Sequence, residues 1–329
     1  MNTILINGGL GFIGSHTVVE CIEAGKTVII LDDCSNSSEE VLDRIEQITN
    51  VRPLFVKGSI LDESILDHIL ASHTIDGVIH FAAFKAVNES VNEPLKYFHN
   101  NVTGTLTLLK VMESHHVRKL VFSSSATVYD PSQTPPFQED MKLSSTHAYG
   151  QSKIIIEDVL RVMSSKLDSL ALRYFNPVGA HPSGMIGESP KDQPNNLMPL
   201  INQVAMGERE VLHIFGSDYP TTDGTPERDY VHVMDVARAH VKAIDYLASH
   251  TGFDAINIGT GQSVSVKALI HTYEQVNQVT IPHLMADRRK GDIAISVADV
   301  QKAKQLLSYN ASLTIEEMCN DAYQFVRNV

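Results

Sequence analysis

The chain has 329 residues, which at roughly 150 per domain suggests about two domains. Hydrophobic residues make up 43%, enough for buried cores and against a disordered chain. With 26 Lys and Arg against 39 Asp and Glu the formal net charge is −13, which disfavours nucleic acid and anionic bilayers as partners unless the few basic residues cluster.

The predicted elements of the first half alternate between strand and helix. TILIN (3–7) reads as a short buried strand and HTVVECIEAG (16–25) as the helix after it, stopped by Gly25. TVIILD (27–32), VLDRIEQI (41–48), PLFVKG (53–58) and SILDHILASH (64–73) continue the rhythm as strand, helix, strand and helix. GVIHFAA (77–83) is a strand, followed by a long helical stretch from about Pro94 to His115. KLVFSSS (119–125), HAYGQSKIIIEDVLRVMSSK (147–166) and SLALRYF (169–175) close the series as strand, helix and strand. Residues 176–232 are rich in Pro, Gly, Asn and Asp, with one helix pattern at 195–207 and short strands such as VLHIF (211–215). Such a loop-rich insert on a regular scaffold is suited to substrate contacts. VMDVARAHVKAIDYLA and AINIG resume the rhythm, and the tail holds helix patterns at 266–276 and 315–326.

Continuous apolar strands separated by helices imply an α/β fold with a doubly wound parallel sheet of Rossmann type. A smaller, loop-rich α/β substrate domain is expected beside it. The expected division is 1–175, with 233–264 returning to the sheet, against 176–232 and 265–329. No apolar run approaches the roughly 18 residues of a membrane span. MNTILINGG lacks the basic and long apolar regions of a secretory leader, so a cytoplasmic location is expected. Cys21, Cys34 and Cys319 show no C-x-x-C spacing, and H-E-x-x-H is absent; neither a disulfide framework nor a metal site is expected.

Residues 7–14 read NGGLGFIG, directly after the first strand and opening the first helix. Gly8, Gly11 and Gly14 give G-x-x-G-x-x-G, and Gly9, Gly11 and Gly14 give G-x-G-x-x-G. Glycines there allow a tight turn, close backbone approach to a pyrophosphate and helix–strand packing, while the helix N-terminus offers amide donors. Asp32 ends the second strand, where a carboxylate accepts ribose hydroxyls and repels a 2′-phosphate. Asp33 adds a second negative charge. NAD, rather than NADP, is the cofactor these residues favour.

Tyr149 and Lys153 stand four apart on a helix pattern and project from one face. Ser125 lies at the carboxyl end of its strand, where doubly wound folds bind ligands. A tyrosine with an ordinary pKa near 10 is a poor base, and a neighbouring ammonium together with an oxidised nicotinamide favours its phenolate. Ser125 can hydrogen-bond the reacting oxygen and relay its proton. The bland alternative for Y-x-x-x-K is a surface tyrosine lying on a lysine stem.

With these motifs, and with VIHFAAFKAVNESV, FNPVGAHPSG, PNNLMP, DYPTTDGTPERDYVHV and RRKGD, nearly the whole chain resembles the extended short-chain dehydrogenase/reductase family, and within it the UDP-glucose (UDP-galactose) 4-epimerases. The resemblance implies oxidation and re-reduction at sugar carbon 4 through a 4-keto sugar, with Tyr149 as base and NAD regenerated at each turnover. It implies that NAD contacts Gly8, Gly11, Phe12, Ile13, Gly14, Asp32, Asp33, Asn36, Ser37, Ser59, Ile60, Phe81, Ala82, Ala83, Lys85, Asn100, Ser125, Tyr149, Lys153 and Phe175. For the UDP-sugar it implies Lys85, Ser125, Thr127, Tyr149, Asn176, Asn196, Leu197, His213, Ile214, Phe215, Arg228, Arg289, Asp292 and Ser296. Arginine forks suit a diphosphate. A homodimer through helices near 94–115 and 147–165 is also implied.

Three positions depart from the family pattern. Asn7 replaces the usual Thr before the glycines and is expected to hydrogen-bond locally with little effect. Ser59 stands where the family typically has an acid, which implies weaker cofactor retention. Ser296 stands where enzymes restricted to UDP-glucose and UDP-galactose carry a tyrosine, leaving room for an N-acetyl group on sugar carbon 2. Among rival functions, a 4,6-dehydratase would typically carry an Asp-Glu pair where this chain has Ala126 and Thr127. A 4-epimerase of UDP-uronic acids or UDP-pentoses is the closer alternative, and a non-catalytic NAD-binding protein would typically lose Tyr149 or Lys153.

Overall fold

The computed structural model describes residues 2–328 except 192, 193, 195 and 290; Asn195 of PNNLMP and Lys290 of RRKGD therefore lie outside the described residues. The first half runs β1 (Thr3–Asn7), α1 (Phe12–Glu23), β2 (Thr27–Asp32), α2 (Glu40–Thr49), β3 (Leu54–Lys57), α3 (Glu63–Ser72) and β4 (Gly77–His80). Next come α4 (Val87–Asn92), α5 (Pro94–Tyr97), a π-helical turn (Phe98–Thr103), α6 (Gly104–Ser114), β5 (Lys119–Ser125), α7 (Ala148–Val162) and β6 (Asp168–Tyr174). The second half holds β7 (Asn176–Val178), α8 (Leu197–Ala205), β8 (Leu212–Phe215), β9 (Glu227–Arg228), β10 (Tyr230–His232), α9 (Val233–Tyr246) and β11 (Phe253–Ile258). It ends with β12 (Val264–Ser265), α10 (Val266–Asn277), β13 (His283–Ala286), β14 (Ile295–Ser296), α11 (Gln301–Leu307) and α12 (Ile315–Asn328).

Seven strands form one sheet in the order β11-β6-β5-β4-β1-β2-β3, every neighbouring pair parallel. Successive strand residues face opposite sides, so Ile4 and Ile6 enter one core and Leu5 the other. Residues of α1, α2, α9 and α11 fill the first core; α3, α6 and α7 fill the second. This is the doubly wound, Rossmann-type fold. The chain leaves β1 toward β2 on one side and later reaches β4 on the other, which opens a crevice beyond their carboxyl ends.

The long helical pattern from 94 to 115 is not one helix. Pro94 has no amide to continue α4 and starts α5 at its first position. The following π turn inserts extra backbone, and within it the Asn101 side chain bonds the Phe84 carbonyl at 3.0 Å and the Ser152 hydroxyl at 3.1 Å. Helix α1 begins at Phe12, earlier than its apolar periodicity indicates, because the glycine turn feeds directly into it. A separate core of Met198, Ile201, Ile214, Leu269, Tyr273 and Met318 joins α8, β8, α10 and α12. Helix α11 instead packs Ala303 and Leu307 into the sheet's own core.

Candidate active site

The crevice floor is shaped by glycines, of which Gly8 and Gly14 could not be anything larger. Gly8 has φ +76, and a Cβ there would stand 2.7 Å from the Ala82 amide nitrogen on the neighbouring loop. A Cβ on Gly14 would overlap the Gly8 carbonyl oxygen. Gly11 differs, since its Cβ would meet only that oxygen, at an ordinary 3.5 Å. Fold packing does not require glycine at position 11, so the open space above it is the part that fits a ligand. Gly11 is also the N-cap of α1 and supplies no side-chain cap, and the first turn carries no acid. Its leading amides therefore face the crevice as donors for phosphate oxygens, as a dinucleotide requires.

Asp32 closes the adenosine side. Its Oδ2 accepts the Leu10 amide at 2.9 Å, and its Oδ1 accepts the Cys34 amide at 2.9 Å and the Ser37 hydroxyl at 2.8 Å. Three bonds leave one of about four lone-pair directions for a ribose hydroxyl. Asp33 and Asn36 are exposed on this loop, and the Asn36 amide oxygen accepts Lys191 N at 3.2 Å from the substrate-side insert. Ile60 is buried beneath, Ser59 accepts the Leu61 amide at 3.2 Å, and Phe12, Ile13, Phe81, Ala82, Ala83 and Asn100 are partly buried around the crevice. Asn7 departs from expectation. Neither side-chain atom of this fully buried residue finds a partner, because the adjacent strand and turn use only its backbone.

The reacting end lies where α7 crosses the end of β5. Lys153 is 2% exposed and donates from Nζ to the Ser123 carbonyl at 2.7 Å, with Nζ 5.8 Å from the centre of the Tyr149 ring. The Ser125 hydroxyl oxygen accepts the Thr127 amide at 3.2 Å and the Thr127 hydroxyl at 3.0 Å, which fixes it at the strand end. Burial raises the Tyr149 phenol above its ordinary 10, while a hydrogen bond with Ser125 and the charge of Lys85 pull it back. Burial also drags Lys153 down to about 7, opposed by the carboxylate of Glu157. The charge that acts on the phenol is that of Lys85 rather than the expected Lys153, and Lys85 is itself paired with Glu188 at 2.9 Å.

On the substrate side, Arg228 Nη1 donates to the Glu227 and Ile293 carbonyls at 2.9 and 3.0 Å, and Nη2 lies 3.5 Å from Asp292. Ser296 pairs with Arg228 across β14 and β9. The Arg289 guanidinium stacks on the Phe215 ring, 3.9 Å from its centre. His213 is exposed on β8, while Ile214 is buried in the separate core of α8, β8, α10 and α12, 1% exposed, and presents no side chain to a ligand. Asn196 precedes α8 without a side-chain bond to the helix, Leu197 is partly buried, Phe175 is buried and Asn176 is partly buried at the start of β7.

A family model described as "NAD dependent epimerase/dehydratase family" matches residues 4–259. The chain belongs to the NAD dependent epimerase/dehydratase family. Within the family it is 49% identical to the UDP-glucose 4-epimerase of Bacillus subtilis (strain 168), over 98% of this chain and 96% of that one. Its fold matches a UDP-glucose 4-epimerase structure from Stenotrophomonas maltophila with bound NAD and formylated UDP-arabinopyranose, at TM-score 0.98 and 42% identity, covering 100% of this chain and 98% of that one. A second UDP-glucose 4-epimerase structure, from Bifidobacterium longum in complex with NAD+ and UDP, matches at TM-score 0.95 and 43% identity over 99% of this chain and 98% of that one.

Several members of the site escape a reading of motifs. Glu188 accepts both Lys85 and the Asn196 amide, at 2.9 and 2.8 Å, joining the two sides of the crevice. Asp229, fully buried beside Arg228, accepts the Thr260 amide and hydroxyl, the Gly261 amide and the Ala298 amide, anchoring the strand that carries the arginine. An acid next to Arg in a strand pattern is a weak signal. Glu188 gave none, its charged partner Lys85 being 103 residues away.

Proposed function

We propose that this chain catalyses NAD-dependent epimerisation at carbon 4 of UDP-sugars, interconverting UDP-galactose and UDP-glucose. The observation that supports the reading is the meeting of Tyr149, Lys153 and Ser125 where α7 crosses the end of β5, on the sheet that carries the glycine turn, with Arg228 and Arg289 supplied by the substrate-side segments. The crevice residues at the glycine turn and Asp32 would hold NAD, which would supply the acceptor for the carbon-4 hydride and the donor for its return. Tyr149 accepts the proton of the 4-hydroxyl as the carbon is oxidised, and Ser125 hydrogen-bonds the same oxygen. Arg228 and Arg289 anchor the diphosphate, so the 4-keto sugar can turn its other face before the proton and hydride come back. No net oxidation results.

In this reading the sheet, residues 1–175 with 233–264, holds NAD, and 176–232 with 265–329 hold the UDP-sugar, except that α11 belongs with the sheet. The small Ser296 beside Arg228 leaves room for a 2-N-acetyl group, so UDP-N-acetylgalactosamine and UDP-N-acetylglucosamine are substrates as well. Exposed apolar side chains on α4, α5 and α7, chiefly Val91, Leu95 and Val162 at 62, 80 and 84% exposure, support a homodimer. A cytoplasmic role in galactose use fits this chemistry. Proton NMR of UDP-galactose and UDP-N-acetylgalactosamine incubated with the protein tests the reading. Conversion of both is expected; conversion of neither refutes it, and of UDP-galactose alone removes the acetyl pocket.

A further inference from the structure

The machinery described so far leaves unused the largest fully buried side chain among the described residues. Arg173 on β6 is 1% exposed, and Glu157 on α7, at 0%, lies against it. Arg173 donates from Nε to Glu157 Oε1 at 3.0 Å and from Nη2 to Oε2, a two-pronged charge-assisted contact. Its Nη1 donates to the Tyr129 hydroxyl at 3.1 Å and to the Glu139 carbonyl at 3.0 Å. Glu157 also accepts the Ser124 hydroxyl at 2.6 Å, and Ser124 is the register partner of Arg173 across β5 and β6.

These contacts match one helix to one strand, turn by residue. Tyr149, Lys153 and Glu157 follow one another at four-residue intervals along α7 and share a face. Along β5, the Ser123 carbonyl holds Lys153, the Ser124 hydroxyl holds Glu157 and Ser125 meets Tyr149. A slip of α7 along its axis would break all three links together. A buried ion pair is a poor source of stability, since desolvation offsets most of its attraction and apolar groups of similar volume often replace it without loss. Fixing register is the use such pairs serve best.

The charged and titratable groups around Lys153 are few. Glu157 and Tyr149 come from its own helix, His80 from β4 and Lys85 from the loop after β4, while β6 brings Arg173 behind Glu157 and Tyr174, whose phenol is raised by burial and whose hydroxyl bonds that of Ser123. His80 is held neutral by burial, down to about 3, and β5 offers only the Ser123 carbonyl and the Phe122 ring. Glu157 is the anion in this set that works directly on the lysine.

We propose that the Glu157–Arg173 pair is a positioning element for the carbon-4 redox step, locking α7 in axial register against β5 and β6 and setting a fixed negative charge one helical turn from the Lys153 ammonium. The inference rests on the epimerase reading above. Two variants test it with UDP-galactose as substrate: Glu157→Gln, which keeps the acceptor for Ser124 but loses the charge, and Glu157→Met combined with Arg173→Met, which removes both charges at similar volume. For Glu157→Gln, kcat falls at least tenfold with KM within about threefold, and the high-pH limb of kcat moves down by at least half a pH unit. The double variant regains the thermal midpoint of the parent but not its kcat, and it carries the test alone if Glu157→Gln does not fold. Parental kcat in the folded double variant, or an unshifted limb in Glu157→Gln, overturns the proposal. A parent chain that converts no UDP-sugar overturns the epimerase reading and this inference with it, whereas an active parent beside undiminished variants overturns only the positioning role.

Discussion

Burying Lys153 has a cost that can be measured. Its amine is pulled from an ordinary 10.5 to about 7, chiefly by desolvation, which corresponds to about 5 kcal/mol of differential stabilisation. Above pH 10.5 the amine is neutral in both folded and unfolded chains and contributes nothing. Between 10.5 and about 7 the unfolded chain holds a proton that the folded chain has released, so stability falls by about 1.4 kcal/mol for each unit the pH is lowered. Below about 7 the full penalty applies. Lys153→Met removes the amine at similar length and forfeits the bond to the Ser123 carbonyl, worth about 1–3 kcal/mol if that acceptor is left unpaired. Nucleotide-free Lys153→Met should therefore be more stable than the parent by about 2–4 kcal/mol at pH 6. The advantage should shrink through about pH 9 and reverse near pH 10, while activity is lost throughout. Urea titrations of both proteins at pH 6, 8 and 10 measure this. A variant less stable at pH 6, or a difference independent of pH, would refute the buried, depressed lysine.

Other outcomes follow from the same geometry. Gly11→Ala should leave the thermal midpoint within a few degrees but weaken NAD binding at least tenfold by calorimetry, whereas Gly14→Ala, whose Cβ overlaps the Gly8 carbonyl, should lower the midpoint as well. His16 and His80 are held near 3 and His240 near 4, all by burial, so below pH 6.5 the unfolded chain binds protons that the folded chain refuses. These three should together steepen acid unfolding between pH 6 and 4.5 by about 4 kcal/mol per pH unit, and His240→Leu should remove about a third of that slope in urea titrations. Ser59→Asp should slow NAD loss on dialysis, read by absorbance of the released nucleotide. Ser296→Tyr should cut turnover of UDP-N-acetylgalactosamine at least tenfold while sparing UDP-galactose, as followed by NMR.

The sheet and the glycine turn are legible in the sequence because both depend on short-range patterns. TILIN and TVIILD hold continuous apolar runs between polar ends, and NGGLGFIG carries its strand before it and its helix after it. Between 94 and 115 the apolar spacing survives a π turn that adds backbone, so the periodicity hides the break. Helix α11, only seven residues long, falls below the length at which spacing is informative. Tyr149 and Lys153 are legible as a spacing, and Glu157 continues it; an acid on that face and an arginine inside the otherwise apolar SLALRYF are the signals that point to the buried pair. Glu188 and Asp229 act only through contacts made by folding, across 103 residues in one case and 31 or more in the other.

In 4-epimerisation a hydride leaves sugar carbon 4 and returns to the same carbon within one active site. UDP-galactose deuterated at carbon 4, incubated in ordinary water with only catalytic NAD and followed by NMR, tests this directly. UDP-glucose should form with its deuterium retained at carbon 4, and Tyr149→Phe should be inactive. Product carrying a solvent proton at carbon 4, or a product that has lost water, would contradict it.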